Sequence, residues 1–80
     1  MKGGIIMEYT IYCKKPETKE EVKYMSYFRQ PAEPLKDLVK WFDEKVEAIA
    51  SREKIDLSNI VIRWCVKGKN YCYYLGVLWY

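Results

Sequence analysis

Three cysteines, Cys13, Cys65 and Cys72, are the residues of this chain best suited to covalent or metal chemistry. The sequence has no histidine and no Cys-x-x-Cys spacing, so it lacks the ligand pattern of a zinc site. A thiol nucleophile would also lack a histidine base. In the hairpin predicted below, Cys65 faces Cys72 at a hydrogen-bonded pair, where Cα atoms lie wide apart. We expect free thiols that pack as small apolar side chains, no metal and no cofactor.

Other patterns that accompany catalysis are missing from the sequence. No serine lies in a nucleophile-elbow motif, and no glycine-rich loop could hold a phosphate. The carboxylates concentrate in the polar stretch 14–21 and on one side of a predicted helix, where water solvates them. We expect a protein that is not an enzyme.

Basic and aromatic residues that alternate along the predicted strands carry the main functional signal. Alternation places them on one face of a sheet, because successive side chains of a strand point to opposite sides. On that face Glu8 is the single acid, beside the basic residues Lys14, Lys23, Arg29, Arg63 and Lys67. The predicted binding face comprises Tyr12, Lys23, Met25, Tyr27, Arg29, Arg63, Lys67, Tyr74, Leu78 and Tyr80.

Two classes of partner fit such a face. Exposed tyrosine, methionine and leucine have the composition of a protein–protein interface. Lysine and arginine between planar rings are instead the groups that hold the phosphates and bases of a single nucleic-acid strand. A purely structural role is a third interpretation, since tyrosine is common in strands for packing reasons. We favour a protein-binding or self-associating module, a homodimer or a partner complex, with single-stranded nucleic-acid binding as the alternative.

The elements that must position this face begin with a C-terminal β-hairpin. Residues 60–67 and 70–80 alternate between apolar and polar side chains, which is typical of strands. Gly68–Lys69 is the predicted two-residue loop, in which the glycine supplies the positive φ that a type II′ turn needs. In this register Trp64 faces Tyr73, and every inward pair is apolar on both strands.

The N-terminal half predicts a second hairpin. Residues 5–13 alternate with an apolar set at odd positions, and residues 22–29 resume alternation after the polar loop 14–21. The loop is too long to determine the register of these two strands.

A helix follows. Pro31 and Pro34 fit its first turn, where a missing N–H costs nothing, and we expect it to end near residues 53–54. Trp41 lies on its flank, and we expect this residue to pack rather than to project into solvent. The helix has one apolar stripe with charged residues opposite: Leu35, Leu38, Val39, Phe42, Val46 and Ile49.

The element order ββαββ predicts a single α+β domain over residues 1–80, with residues 1–4 frayed and Met7 an alternative start to Met1. The economical arrangement is β-grasp-like, a four-stranded mixed sheet of order 2-1-4-3 with the helix packed on one face and strands 1 and 4 parallel in the centre. Strand 4 is the most apolar segment. Strands 2 and 3 carry lysine and arginine, as edge strands often do.

Composition sets the remaining limits. A formal charge of +3 is a mild basic bias that neither requires nor forbids an anionic partner. No stretch approaches the roughly 20 apolar residues of a membrane-spanning helix, and Glu8 interrupts any signal-peptide pattern, so we expect a cytoplasmic protein. One Gln, two Asn and no His resemble a heat-adapted composition. Small size without catalytic chemistry is typical of the inhibitors and adaptors by which viruses or plasmids engage host proteins.

Overall fold

The computed structural model describes residues 6–30 and 35–79. Its elements follow in the order β1 (Met7–Lys14), β2 (Glu21–Arg29), α1 (Leu35–Glu53), a 3₁₀ turn (Leu57–Asn59), β3 (Ile60–Val66), β4 (Lys69–Tyr74) and β5 (Val77–Trp79). Three predictions lie outside the described residues: the frayed N-terminus, the opening of the helix at Pro31 and Pro34, and the place of Tyr80 on the binding face.

The five strands form one antiparallel sheet of order β2-β1-β3-β4-β5. The predicted α+β class with one helix is confirmed. The predicted four-stranded mixed sheet of order 2-1-4-3 is wrong, because β1 pairs with β3 in antiparallel orientation and not with a parallel fourth strand. The β-grasp-like identity, which rests on that parallel central pair, does not hold in this form.

Burial explains why β3 rather than β4 lies beside β1. Ile60, Val61 and Ile62 are all buried, at 1 %, 2 % and 0 % exposed. Consecutive buried residues mean that both faces of the strand are covered, which only an interior strand achieves. β4 is rich in tyrosine, whose hydroxyls need polar partners. Counting these tyrosines as apolar made a central position for this strand look more favourable than it is.

Two-residue turns with positive φ at both central positions connect β3 to β4 and β4 to β5. In the first, Lys67 and Gly68 have φ of 51° and 83°, the signs of a type I′ turn, which matches the twist of the strands it joins. The predicted loop Gly68–Lys69 is therefore wrong by one residue, and the pairing shifts by two. Trp64 lies opposite Tyr71, not Tyr73. Each residue of this hairpin still points to the predicted face of the sheet, because a shift of two residues preserves the alternation.

The predicted fourth strand, residues 70–80, is in fact two strands. Leu75 and Gly76 have φ of 52° and 77°, and the chain reverses there so that Tyr74 pairs with Val77. The same X-Gly signal marks both turns. In the second it was hidden inside an apolar run.

Helix α1 ends as predicted, at Glu53. Lys54 has a left-handed φ of 59°, and the backbone N–H of Ile55 donates to the carbonyl of Ala50 over 3.1 Å. These are the marks of a Schellman motif, which satisfies carbonyls at the end of a helix. Within residues 6–30 and 35–79, no helix combines the length and the hydropathy that a membrane crossing requires.

The hydrophobic core lies between α1 and one face of the sheet. The predicted helix stripe is confirmed for Leu38, Phe42, Val46 and Ile49, which are buried, and Val39 packs at its margin. The strands add buried side chains from both halves of the chain: Tyr9, Ile11, Ile60, Ile62 and Tyr73.

Aromatic rings fill the centre of this core. The ring of Phe42 lies 4.9 Å from that of Tyr73 and 5.0 Å from that of Trp64, centroid to centroid. Trp41 packs edge-on against Tyr9 and Tyr27 at 5.6 and 5.4 Å, so the expectation that it packs is confirmed. Such pairs add to the free energy of burial, by about 0.5–1.5 kcal/mol each.

Candidate functional site: the open face of the sheet

The face of the sheet away from α1 carries no other element among the described residues, and we call it the open face. The strand registers assign sixteen residues to it. They are Glu8, Thr10, Tyr12 and Lys14 of β1, Glu21, Lys23, Ser26 and Phe28 of β2, Val61, Arg63 and Cys65 of β3, Asn70, Cys72 and Tyr74 of β4, and Val77 and Trp79 of β5.

A β-bulge in β2 decides which of its residues reach this face. Ile11 pairs with Met25 while the next residue, Tyr12, pairs with Lys23, so Tyr24 has no partner on β1. An extra residue reverses the alternation beyond it. Tyr24 turns toward the end of α1, where its hydroxyl donates to Glu53 Oε2 over 2.6 Å.

The bulge separates predicted site residues that simple alternation would keep together. Lys23 lies on the open face, whereas Met25, Tyr27 and Arg29 lie on the helix side. Met25 and Tyr27 pack against the core, and the guanidinium of Arg29 lies 4.6 Å from the ring centroid of Trp41. The placement of these three on the open face is wrong, because the extra residue at Tyr24 reverses the alternation of β2 between Lys23 and Met25.

The other predicted site residues divide in the same way. Tyr12, Arg63 and Tyr74 lie on the open face, and Lys67 is exposed in the turn at its end. Leu78 packs against the core instead, opposite Tyr73. Its placement was wrong because the turn at residues 75–76 changes which side β5 presents. The binding role of the residues on the face stays a prediction.

The basic residues of the open face are largely engaged within the chain. Arg63 Nε and one of its terminal nitrogens donate to both carboxylate oxygens of Glu21, over 2.9 and 2.8 Å. Lys14 Nζ lies 4.3 Å above the ring of Tyr74. Arg29 lies on the helix side of the sheet. The strands of the open face therefore carry three basic residues and two acids, so the predicted excess of positive charge is small: Lys14, Lys23 and Arg63 against Glu8 and Glu21.

The Glu21–Arg63 pair ties β2 to β3 across β1. The hydrogen bonds from Arg63 hold the pKa of Glu21 below its ordinary value of 4.5, and those same bonds raise the pKa of the guanidinium. Bidentate pairs of this kind are stronger and more specific in geometry than single contacts.

Removing the Glu21 charge tests this tie. Because the pKa of Glu21 is lower in the folded state, its contribution is complete above the unfolded pKa and is lost as the pH falls through the folded value. We expect Glu21→Gln to lower the free energy of unfolding by about 0.5–1 kcal/mol at pH 7, a modest figure because both side chains are partly exposed. Urea unfolding should show this deficit shrink progressively as the pH falls below about 4.5. An equal deficit at pH 7 and pH 3 would contradict the role of the charge.

An inner layer covers the middle of the open face. Val61 is only 2 % exposed although it points away from the helix. In register it lies between Tyr12 and Tyr74, and the Tyr74 hydroxyl donates to the Ser58 carbonyl over 2.8 Å, which draws the ring across β3. Tyr12 and Tyr74 are therefore the cross-strand neighbours of Val61 on this face, and we expect their rings to cover it.

Exposed apolar side chains lie at both margins of the face. Phe28 on β2 is 67 % exposed, and on β5 Trp79 is 52 % and Val77 is 47 % exposed. The sequence interpretation missed all three. The Leu75-Gly76 dipeptide was the available signal for the two β5 residues. No residue pattern within β2 indicates the bulge that places Phe28 on the open face.

A groove of about 430 Å³ opens on this face, where β1 and β3 cease to pair beyond Thr10 and Arg63. Its lining mixes hydrogen-bonding groups with aromatic surface: Glu8, Thr10, Tyr12, Arg63, Trp64, Cys65, Asn70 and Tyr71. A groove with both characters suits a peptide or protein surface.

The cysteines do not assemble into a reactive centre. All three are free thiols, and Cys65 lies opposite Asn70 while Cys72 lies opposite Arg63, because the hairpin register differs from the predicted one. Burial raises the pKa of the Cys13 thiol, with a smaller effect from Glu53, which disfavours the thiolate. Nowhere in the described ranges do three or more His, Cys, Asp or Glu gather as a metal would need.

Comparison with known proteins adds no relative. No protein-family model, curated protein or solved structure matches this chain.

Proposed function

We propose that this chain is a non-enzymatic protein-binding module whose open face associates with a second copy of the same chain. The observation that carries the proposal is the exposure of Phe28, Val77 and Trp79 along the two margins of one sheet face. Large apolar side chains left exposed on one face favour association with another surface, since water does not favour their exposure. Aromatic residues are also enriched at interfaces relative to the rest of a protein surface.

The dimensions of the face support a dimer. Five strands about 4.8 Å apart and up to about 25 Å long present on the order of 500 Å² in projection. A standard interface buries roughly 800 Å² of accessible surface on each partner, and accessible surface exceeds projected area. The open face is therefore of the size that a specific dimer needs.

The charges of the face support a second copy as the occupant. Glu8 and Lys23 are exposed on the open face, and neither takes part in the ion pairs of the described residues. Both lie in the β1–β2 hairpin. Along the strand direction Glu8 lies on one side of Thr10, and Lys23, which pairs with Tyr12, lies on the other side. A two-fold axis that lies in the interface across the strands brings Glu8 of one copy near Lys23 of the other, a self-complementary contact.

The nucleic-acid alternative has less support. It needs several free cations on one face, but Arg29 packs over Trp41 and Arg63 pairs with Glu21. Only Lys23 and Lys67 of the predicted set are exposed and outside these interactions. Two phosphate contacts would give a slope of log affinity against log salt near −1.4 for a single strand, which is weak binding.

Sedimentation velocity tests the dimer. We expect self-association with a dissociation constant on the order of 10 µM, and we expect Trp79→Asp to weaken it more than about ten-fold because a charge replaces the largest exposed ring. Leu75→Asp is the matched control: Leu75 is 57 % exposed but lies in the turn, off the open face. A wild-type protein that stays monomeric at about 200 µM would overturn the proposal, as would equal effects of the two variants.

A charge exchange tests the predicted orientation. Glu8→Lys should weaken the dimer, because it places two cations near each other across the axis. The double variant Glu8→Lys with Lys23→Glu should restore the wild-type dissociation constant, since the exchange recreates the pair. A double variant that is weaker than either single variant would exclude the proposed two-fold arrangement.

A further inference from the structure

A second cavity lies on the helix side of the sheet, between α1 and the turn that joins β4 to β5. Its volume is about 280 Å³. This is slightly below the roughly 300–1,000 Å³ of small-molecule sites, and it suits one side chain better than a cofactor. The lining is mainly apolar, with two acids: Asp43, Val46, Glu47, Leu57, Ile60, Tyr73, Leu75 and Gly76.

The two acids of this cleft are neighbours on α1, one helical turn apart. Asp43 and Glu47 are four residues apart on α1, so they share one face of the helix and repel each other. Neither takes part in an ion pair in the part of the chain that the structure describes. The chain as a whole is basic, at +3, so this pair is a local excess of negative charge.

Tyr73 orients one of these carboxylates. Its hydroxyl donates to Asp43 Oδ1, which leaves Oδ2 of that group for another donor. Burial and the bond to Asp43 raise the pKa of Tyr73, so the hydroxyl remains a donor at neutral pH. The cleft therefore presents two carboxylates beside apolar walls, and neither forms an ion pair with another described residue.

Leu75 at the lip of the cleft is an unusual choice of residue. It has a φ of 52°, where leucine is strained and Asn or Gly is preferred, and it is 57 % exposed. Leu57, also in the lining, is 42 % exposed. Leu57 and Leu75 thus give the cleft an exposed apolar lip that could contact a partner.

We propose that this cleft binds a single lysine or arginine side chain of a partner protein, with an apolar neighbour of that residue seated on Leu57 and Leu75. The aliphatic stem of such a side chain matches the apolar walls, and its charged end reaches Asp43 and Glu47. An anionic side chain would meet repulsion from both acids. The site lies on the opposite side of the sheet from the open face, so it is independent of the proposed dimer.

Two peptides test the cleft by titration into ¹⁵N-labelled protein. The first is acetyl-Leu-Lys-Leu-amide, and the second carries norleucine in place of lysine, which keeps the stem and removes the charge. We expect the lysine peptide to shift the amide signals of Glu47, Leu75 and Gly76 with saturation at millimolar concentration. The norleucine peptide should bind at least about ten-fold more weakly.

Charge-neutralising variants test the acids. Asp43→Asn still accepts the bond from Tyr73, and Glu47→Gln preserves side-chain length, so both should fold normally by circular dichroism. Each should weaken the lysine peptide about five-fold, whereas Glu44→Gln, an exposed helix residue outside the lining, should change nothing. Equal binding of the two peptides, the absence of saturable shifts at these amides, or an equal loss with Glu44→Gln would overturn the proposal.

Discussion

Replacing Phe42 by alanine is expected to lower the free energy of unfolding by about 3–5 kcal/mol, as aromatic truncations in cores do. Phe42 is fully buried, at 0 % exposed. Its ring also contacts Tyr9, Trp64 and Tyr73 at centroid distances of 5.5, 5.0 and 4.9 Å, so it joins α1 to β1, β3 and β4. A domain of this length has roughly 4–12 kcal/mol of stability, so the variant loses a large share of it. Equilibrium urea unfolding followed by tryptophan fluorescence measures the change.

Phe28→Ala is the matched control for this prediction. The chain has two phenylalanines, and Phe28 is 67 % exposed on the open face. At concentrations where the protein is monomeric, its replacement should change the free energy of unfolding by less than about 0.5 kcal/mol. A loss below about 1 kcal/mol for Phe42→Ala, or losses of similar size for both variants, would contradict the described core.

Val61→Asp is expected to destabilise the fold by about 3–5 kcal/mol. Val61 is 2 % exposed on the open face, where it lies between Tyr12 and Tyr74 in register. An aspartate there would be an unpaired charge in a covered site, which is strongly unfavourable. The shift of the urea midpoint at pH 7 measures the loss, and the loss should diminish at pH 3, where the carboxyl is neutral.

The control for this prediction is Cys65→Asp. Cys65 lies on the same face of the same strand but is exposed. We expect a change within about 0.5 kcal/mol, as for most surface substitutions. If the two variants proved equally mild, the burial of Val61 on the open face would be contradicted.

The helix and the alternation of two strands follow from local sequence patterns. The apolar stripe of α1 repeats every three to four residues, and it predicted both the buried face of the helix and its end near Glu53. Alternation in β1 placed Tyr12 on the open face and alternation in β3 placed Arg63 there, since a strand presents alternate residues to one side. For these elements the neighbours along the chain carry the whole signal.

The position of the turns was only partly accessible. Gly68 identified the first reversal, but the choice between Lys67–Gly68 and Gly68–Lys69 moves the register by two residues, and both registers keep the same apolar face. Leu75-Gly76 gave an equally local signal for a second turn. The apolar run around it outweighed that signal, because leucine rarely adopts positive φ.

By itself the sequence determined one helix, the apolar faces of β1, β3 and β4, and the absence of histidine chemistry. The tertiary structure alone decided that β3 pairs with β1, that a bulge at Tyr24 sends Met25 and Tyr27 inward, and that Phe28 and Trp79 are exposed. The reason is physical. Periodicity and turn residues act between near neighbours, whereas strand order and bulges depend on how rings from distant segments fill the space around Phe42, and no local pattern encodes that packing.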